Sequence, residues 1–220
     1  MMTWRRLLLF EGLIGYPTAL KIFIAHLGWK KLLQLFPKLV WNSVILNPYH
    51  SLPQAKTLKE RFSRHQLKPV VNLYETLCPI LGQQKTLEFL KSLVSQSGAQ
   101  FVAYNIPLID ANTWHSLAPE SKEQHTTQII RQFFNAEGQV VEHPLFDFSF
   151  DVKVCHFVQL TAQLGRPELA PLFCAADGAF FNQEEVPIAL YREHTLAKGD
   201  SCCSFRFRFK EDSEVNSHEK

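Results

Sequence analysis

The sequence predicts an α+β fold, with a helical N-terminal half packed on a C-terminal antiparallel sheet, and two observations carry that prediction. Through residues 3–135 apolar side chains recur every three to four positions, the period of an amphipathic helix. Near Phe146 the period drops to two. Phe146, Phe148, Phe150, Val152 and Val154 alternate there with Asp147, Ser149, Asp151 and Lys153, as in a half-buried strand. A chain of 220 residues that is 46% hydrophobic and 20% charged can bury one sizeable core, so residues 1–210 are expected to form a single domain. Residues 211–220 are charged, hold Val215 as their one apolar side chain, and are expected as a disordered tail.

From Thr3 to about Leu35 the helical pattern is broken by Gly12, Gly15 and Pro17, which predicts two helices. Residues 42–53 carry turn chemistry in Asn42, Asn47-Pro48 and Pro53. Helical spacing returns over 51–64 and 69–95, with a break expected at Cys78-Pro79 because proline lacks a donor. A fresh helix is expected from Thr86, ending near Gly98. Residues 101–109 read as a strand or an irregular apolar link, and Ser121 to Asn135 as a helix with Ile129, Ile130, Phe133 and Phe134 inward. Beyond the first strand, His156 to Leu164 is helical and stops at Gly165. Phe180-Phe181 and residues 187–195 read as short strands, and Cys203, Phe205, Phe207 and Phe209 alternate with Ser204, Arg206 and Arg208 as a last one.

Charge excludes some functions. Lys plus Arg exceeds Asp plus Glu by 23 − 21 = 2, and no window collects the roughly five or six basic residues that a phosphate track needs, so no nucleic-acid partner is expected. Arg5-Arg6 followed by Leu7, Leu8, Leu9 and Phe10 imitates a signal peptide, but Glu11 cuts the apolar run and Lys21, Lys30 and Lys31 follow in helical spacing. No stretch reaches the roughly 18–20 uncharged apolar residues of a membrane span, so a soluble, cytoplasmic chain without stable membrane insertion is expected. The five cysteines, Cys78, Cys155, Cys174, Cys202 and Cys203, are odd in number and match no CxxC zinc spacing. Reduced thiols are expected, with no metal assigned and the cofactor unknown.

The candidate site lies in the last third, where Cys155, Cys174, Asp177, Arg192, Thr195 and Cys203 punctuate apolar runs. Burying thiols, a carboxylate and a guanidinium together costs free energy unless they pair or do chemistry. Each residue also has a plainer reading. Cys78, Cys155, Cys174 and Cys203 serve as small core hydrophobes, Asp177-Gly178 as a turn, and Arg192 as a cross-strand partner of Glu193 or Glu185. His50, His143, His156 and His194 read as surface or satisfied histidines.

The succession FDFSFDVKVCHF, LGRPELAPLFCAADGAFF and YREHTLAKGDSCCSFRFRF resembles the L-2-amino-thiazoline-4-carboxylic acid hydrolase family over roughly residues 80–210. The elements that carry it are Cys155, Gly165-x-Pro-Glu-Leu169, Cys174-x-x-Asp177, Arg192-x-x-Thr195, and Gly199 followed by Cys203 and Phe205. The resemblance implies a small-molecule substrate carrying a carboxylate, with water adding to the amidine carbon of a thiazoline ring. It implies Cys174, Asp177 and Cys203 as catalytic groups, with a thiolate nucleophile activated by Arg192 and Asp177 as base. Arg192, Thr195 and Cys155 would bind substrate. Family members carry Asp after the last cysteine, whereas this chain has Ser204. On an alternating strand position 204 faces away from Cys203. The layout also resembles vinyl-reductase-associated sensor domains, which implies a non-catalytic ligand-binding module, and the missing Asp suits an inactive homologue. Converging polar groups in a pocket would favour the enzyme, and an apolar pocket the binding module.

Overall fold

The computed structural model describes residues 3–210, so the expected tail at 211–220 lies outside the described residues. Its first helices form one long rod. Helix α1 (Trp4–Phe10) is capped by Thr3, whose hydroxyl accepts from the Arg6 N–H at 3.3 Å. A π turn (Glu11–Gly15) carries the chain straight into α2 (Tyr16–Leu27). The break expected at Gly12, Gly15 and Pro17 is absent, because the π turn takes up the glycines and leaves Pro17 in the first turn of α2, where a missing donor is tolerated. The rod Trp4–Leu27 is 24 residues long and, despite Glu11 and Lys21, long and apolar enough to cross a membrane by length and composition; 17% of its apolar window is buried.

Gly28, at φ +73°, reverses the chain into α3 (Trp29–Ile45), which outruns its expected end at Leu35 by ten residues. Helix α4 (Leu58–Leu81) is capped by Thr57 and runs through Pro69 and Pro79. Its buried face, from Phe62 through Leu67, Val71 and Tyr74 to Leu77, outweighs the hydrogen bonds the prolines remove. The break comes instead at Gly82, whose φ of +81° is the conformation glycine permits. Helix α5 (Gln83–Asn105) therefore begins before Thr86, passes Gly98 and absorbs residues 101–105, which are helix rather than strand.

Short α6 (Ala111–Ser116) and α7 (Pro119–Gln132) lead to a strand that the sequence reading missed, β1 (Ala136–Val140). It pairs with β2 (Phe148–Cys155). Helix α8 (His156–Gln163), α9 (Ala170–Phe181), β3 (Ile188–Tyr191) and β4 (Cys203–Phe209) follow among the described residues. The sheet order is β1-β2-β4-β3, with every pairing antiparallel. Phe180-Phe181, expected as a strand, is the last turn of α9, and Asp177-Gly178 is mid-helix rather than a turn.

The inner face of the sheet is aromatic. Phe148 stacks on Phe207 with centroids 4.6 Å apart, and Phe150 on Phe205 at 4.8 Å, both as directly paired cross-strand residues. Two apolar cores result, one among α1–α5 and α8, the other between the sheet, α9 and Trp114. Helix α5 serves both, Phe89 to Val94 in the first and Ala99 and Val102 in the second. Gly98 marks the crossing of α5 with α9. A Cβ there would stand 2.4 Å from the Ala176 Cβ, so only glycine lets the two backbones approach this closely.

Candidate functional site

The α5–α9 crossing sets the site, since Ala176 precedes Asp177. Cys174 and Asp177 lie three residues apart on α9 and share a face. Arg192 follows β3 with the inward parity of Ile188 and Leu190, which brings its guanidinium over the Phe205 ring, 5.1 Å from the centroid. There its Nη1 donates to Asp177 Oδ2 at 2.6 Å and its Nη2 to the Cys174 carbonyl at 2.6 Å. Both side chains are mostly buried, at 12% and 15% exposure. Arg192 thus pairs with Asp177 rather than with Glu193 or Glu185. Two of its donors are engaged within the fold, and the remaining N–H groups are what a ligand can use.

Cys155, Cys174, Asp177, Arg192 and Cys203 all line one cavity of about 820 Å³. Cys155 closes β2, and its sulfur lies 3.9 Å from Asn135 Nδ2. Cys203 opens β4, and its sulfur accepts from the Leu196 N–H at 3.2 Å. All five cysteines are free thiols. Thr195 does not line the cavity. Its N–H donates to Asp200 Oδ2 at 2.7 Å, and its carbonyl accepts from Lys198 N at 2.9 Å, so it anchors the loop that presents Leu196 to Cys203.

Electrostatics corrects the thiolate expectation. Burial pushes the Cys174 thiol up to about 12; Arg192 opposes that shift, and Asp177 and the other two cysteines reinforce it. Cys155 and Cys203 are also raised, chiefly by burial. Burial thus outweighs the pull of Arg192 on Cys174, and Asp177 adds to it, which runs against a resting thiolate. Burial raises the Asp177 carboxyl too, against the pull of Arg192. For Arg192 burial acts downward, but Asp177 together with the neighbouring cysteines outweighs it, and the guanidinium stays charged.

Sequence reasoning missed two further polar groups. Asn105 Nδ2 donates to the Gln132 carbonyl at 3.0 Å, which fixes its Oδ1 as an acceptor. That Oδ1 and Gln132 Oε1 are buried without a partner, and both residues line the cavity. An unpaired buried acceptor costs about 1–3 kcal/mol unless a donor reaches it. No local pattern marks these amides, since each sits in an ordinary amphipathic helix.

Ser204 lies outside the cavity. Its hydroxyl accepts from His194 N at 3.1 Å, its N–H donates to the His194 carbonyl at 3.1 Å, and it pairs across the sheet with Asp151. Asp151 in turn binds Arg206 at 2.8 Å on that outer face. Among the described residues, no cluster of three or more His, Cys, Asp or Glu is placed to hold a metal ion.

The fold and site define a class: a helical layer on a short antiparallel sheet, enclosing an apolar cavity whose inner end holds a buried carboxylate–guanidinium pair flanked by thiols. Within it, the family model for L-2-amino-thiazoline-4-carboxylic acid hydrolase matches residues 61–207, that is 207 − 61 + 1 = 147 of 220 residues, and the chain belongs to that family. No curated protein and no solved structure matches it.

Proposed function

We propose that this protein is a hydrolase that opens a small cyclic amidine carrying a carboxylate, of the aminothiazoline carboxylate type, at the Asp177–Arg192 end of the cavity. The observation that carries the reading is a paired carboxylate and guanidinium within a mostly apolar cavity that three thiols and two residues with orphaned amide oxygens also line. An amidine brings N–H donors, which complement Asn105 Oδ1, Gln132 Oε1 and the free lone pairs of Asp177. The spare N–H groups of Arg192 meet the substrate carboxylate.

In this reading Asp177, its basicity raised by burial, takes a proton from water as the oxygen adds to the amidine carbon. Asp177 passes that proton to the ring nitrogen, and the carbon–sulfur bond breaks as the carbon becomes a carbonyl. A neutral thiol, Cys174 or Cys203, gives its proton to the departing sulfur and takes the one that the added oxygen releases, so both protons of water end on the product. The product is an N-carbamoyl amino thiol. The test is incubation of purified protein with L-2-amino-thiazoline-4-carboxylate and related cyclic amidines, with and without divalent metals, reading the mass gain of one water. Asp177→Asn should lower turnover by roughly 100- to 10,000-fold, the usual contribution of a general base. An Asp177→Asn protein that turns over like the parent sinks the assignment.

A second reading is favoured by one observation. A cavity of about 820 Å³ is of the size that ordinarily takes drug-sized ligands, and a single small ring fills a fraction of it. A non-catalytic module for a larger, mostly apolar ligand fits that volume. Retention of an apolar fluorescent probe, with no turnover of any cyclic amidine, would favour this reading.

A further inference from the structure

The first three helices leave an apolar face that the fold does not cover. Fifteen of the twenty large hydrophobic residues exposed among the described residues fall between Trp4 and Leu46. They form two stripes of the same helical spacing, Leu9, Leu13, Tyr16, Leu20, Ile24 along α1–α2 and Trp29, Leu33, Phe36, Val40, Val44 along α3. Tyr16 and Leu20 from one stripe and Phe36 and Val40 from the other also line the cavity, so the stripes meet at its mouth. Exposed contiguous apolar surface of this kind marks an interaction site.

We propose that this face docks on an anionic lipid bilayer, lying in its interface with the cavity mouth turned toward the acyl chains. Charge selects the occupant. Residues 1–50 hold six basic residues and one acidic one, a net +5, against a net −3 over residues 51–220. Glu11, the single acid, is turned into the fold, 3.0 Å from His65 Nε2 and accepting from Gln66 Nε2 at 3.2 Å. Arg5, Lys21, Lys30 and Lys38 remain exposed around the stripes. A basic, apolar surface carrying exposed Trp4, Tyr16, Trp29 and Trp41 is the composition of a helix that binds headgroups with its cations and the acyl boundary with its aromatics. A second copy of the chain would set cation against cation across a two-fold interface. Spanning is disfavoured because Leu7, Phe10, Ile22 and Phe23 of the rod are buried in the protein and would have to be withdrawn.

The test is flotation of the full chain with vesicles of phosphatidylcholine alone or with added phosphatidylglycerol. Binding is expected with the anionic vesicles and should weaken as salt rises. Reversing Lys30 and Lys31 to Glu should lower partitioning by about ten-fold or more, as should Trp41→Glu with Val44→Glu. In single-tryptophan variants, brominated lipid should quench Trp29 and Trp41. The variant that keeps only Trp114, 2% exposed behind the sheet, should stay bright, and circular dichroism checks that each variant is folded. The proposal is overturned by a parent chain that does not float. A folded Lys30→Glu/Lys31→Glu variant that floats like the parent also overturns it. So does light scattering that shows a dimer which Val44→Glu dissociates, or binding that survives alkaline carbonate, the mark of a spanning anchor.

Discussion

The two ends of the cavity differ in how much the fold depends on them. At the inner end Arg192 and Asp177 satisfy one another across 2.6 Å, the Cys174 carbonyl and Phe205 ring hold the guanidinium from two other elements, and little solvent reaches the pair. At the outer end Tyr16 lines the cavity, and with Leu13, Trp41 and Val44 of the adjoining stripes it stands between 67% and 76% exposed. The inner groups are therefore constrained by folding. The apolar character of the outer ones has no folding reason, and the proposed bilayer contact would supply one.

The largest effect should follow from unpairing the inner end. Arg192→Leu leaves the Asp177 carboxylate buried without its partner, and a cost of about 3–5 kcal/mol in denaturant unfolding is expected. Arg192→Lys keeps the charge but cannot reach Asp177 Oδ2 and the Cys174 carbonyl as a planar fork, so a loss of about 1–2 kcal/mol is expected together with weaker binding of anionic ligands. Lost stability with undiminished anion binding would make Arg192 a purely structural residue.

Next comes the crossing that seats α9. Gly98→Val forces a side chain into the space of the Ala176 Cβ, and about 1–3 kcal/mol of destabilisation is expected from overpacking. Asp177 follows Ala176, so the thermal shift should come with a loss of turnover or ligand binding. Full function in a folded Gly98→Val protein would detach the crossing from the site.

The thiols give a pH dependence of fixed sign. The folded pKa of Cys174 is raised above its unfolded value, so its contribution to stability is complete below the ordinary thiol range near about 8.5 and is lost as pH climbs toward about 12. Asp177 is raised as well, with the same sign at its own lower range. Alkaline titration of unfolding should show a decline in that upper window that Cys174→Ala reduces, the remainder belonging to Cys155 and Cys203. Alkylation of Cys174 near neutral pH should be slow in the folded protein and should accelerate on unfolding. Rapid labelling of Cys174 in the native state at pH 7 would restore the thiolate nucleophile.

The outer face of the sheet ranks below these. Ser204→Asp installs the residue expected in the family, opposite Asp151 and away from the cavity. Cross-strand like charges are worth about 0.2–1 kcal/mol, so a small destabilisation with unchanged turnover is expected. A gain of activity from Ser204→Asp would mean that the outer face takes part in the chemistry.

Local patterns made part of this legible. Period two marked β2 and β4 because each buries one aromatic face, whereas α9 stayed hidden, with Asp177-Gly178 open to a turn reading and Phe180-Phe181 read as a strand. Strand β1 was hidden because Glu137, Gly138 and Gln139 carry no alternation, and its place is decided by pairing with β2. Pro79 read as a breaker, yet Gly82 ends α4, since buried contacts along Leu67 to Leu77 outweigh one lost bond. The partner of Arg192 lies 15 residues back on another element, and the orphaned oxygens of Asn105 and Gln132 emerge only when α5 and α7 are packed. Contacts set by tertiary packing leave no periodic trace in a single sequence.

The smallest effect on stability is expected at the outer end. Val44 is 76% exposed on α3, so Val44→Glu removes little buried area and keeps a residue that suits a helix surface. Its unfolding free energy should stay within about 0.5 kcal/mol of the parent, the range of ordinary surface substitutions. Turnover of a water-soluble substrate should also be unchanged, because the Asp177–Arg192 pair is formed by α9 and the segment after β3, far along the chain from α3. Only association with vesicles should fall. Equal stability with lost flotation would separate the two ends of the cavity cleanly, the inner one held by folding and the outer one by what it touches. A Val44→Glu protein that unfolds several degrees early would show instead that the exposed stripe is packed in solution, and the contrast between the ends would fail.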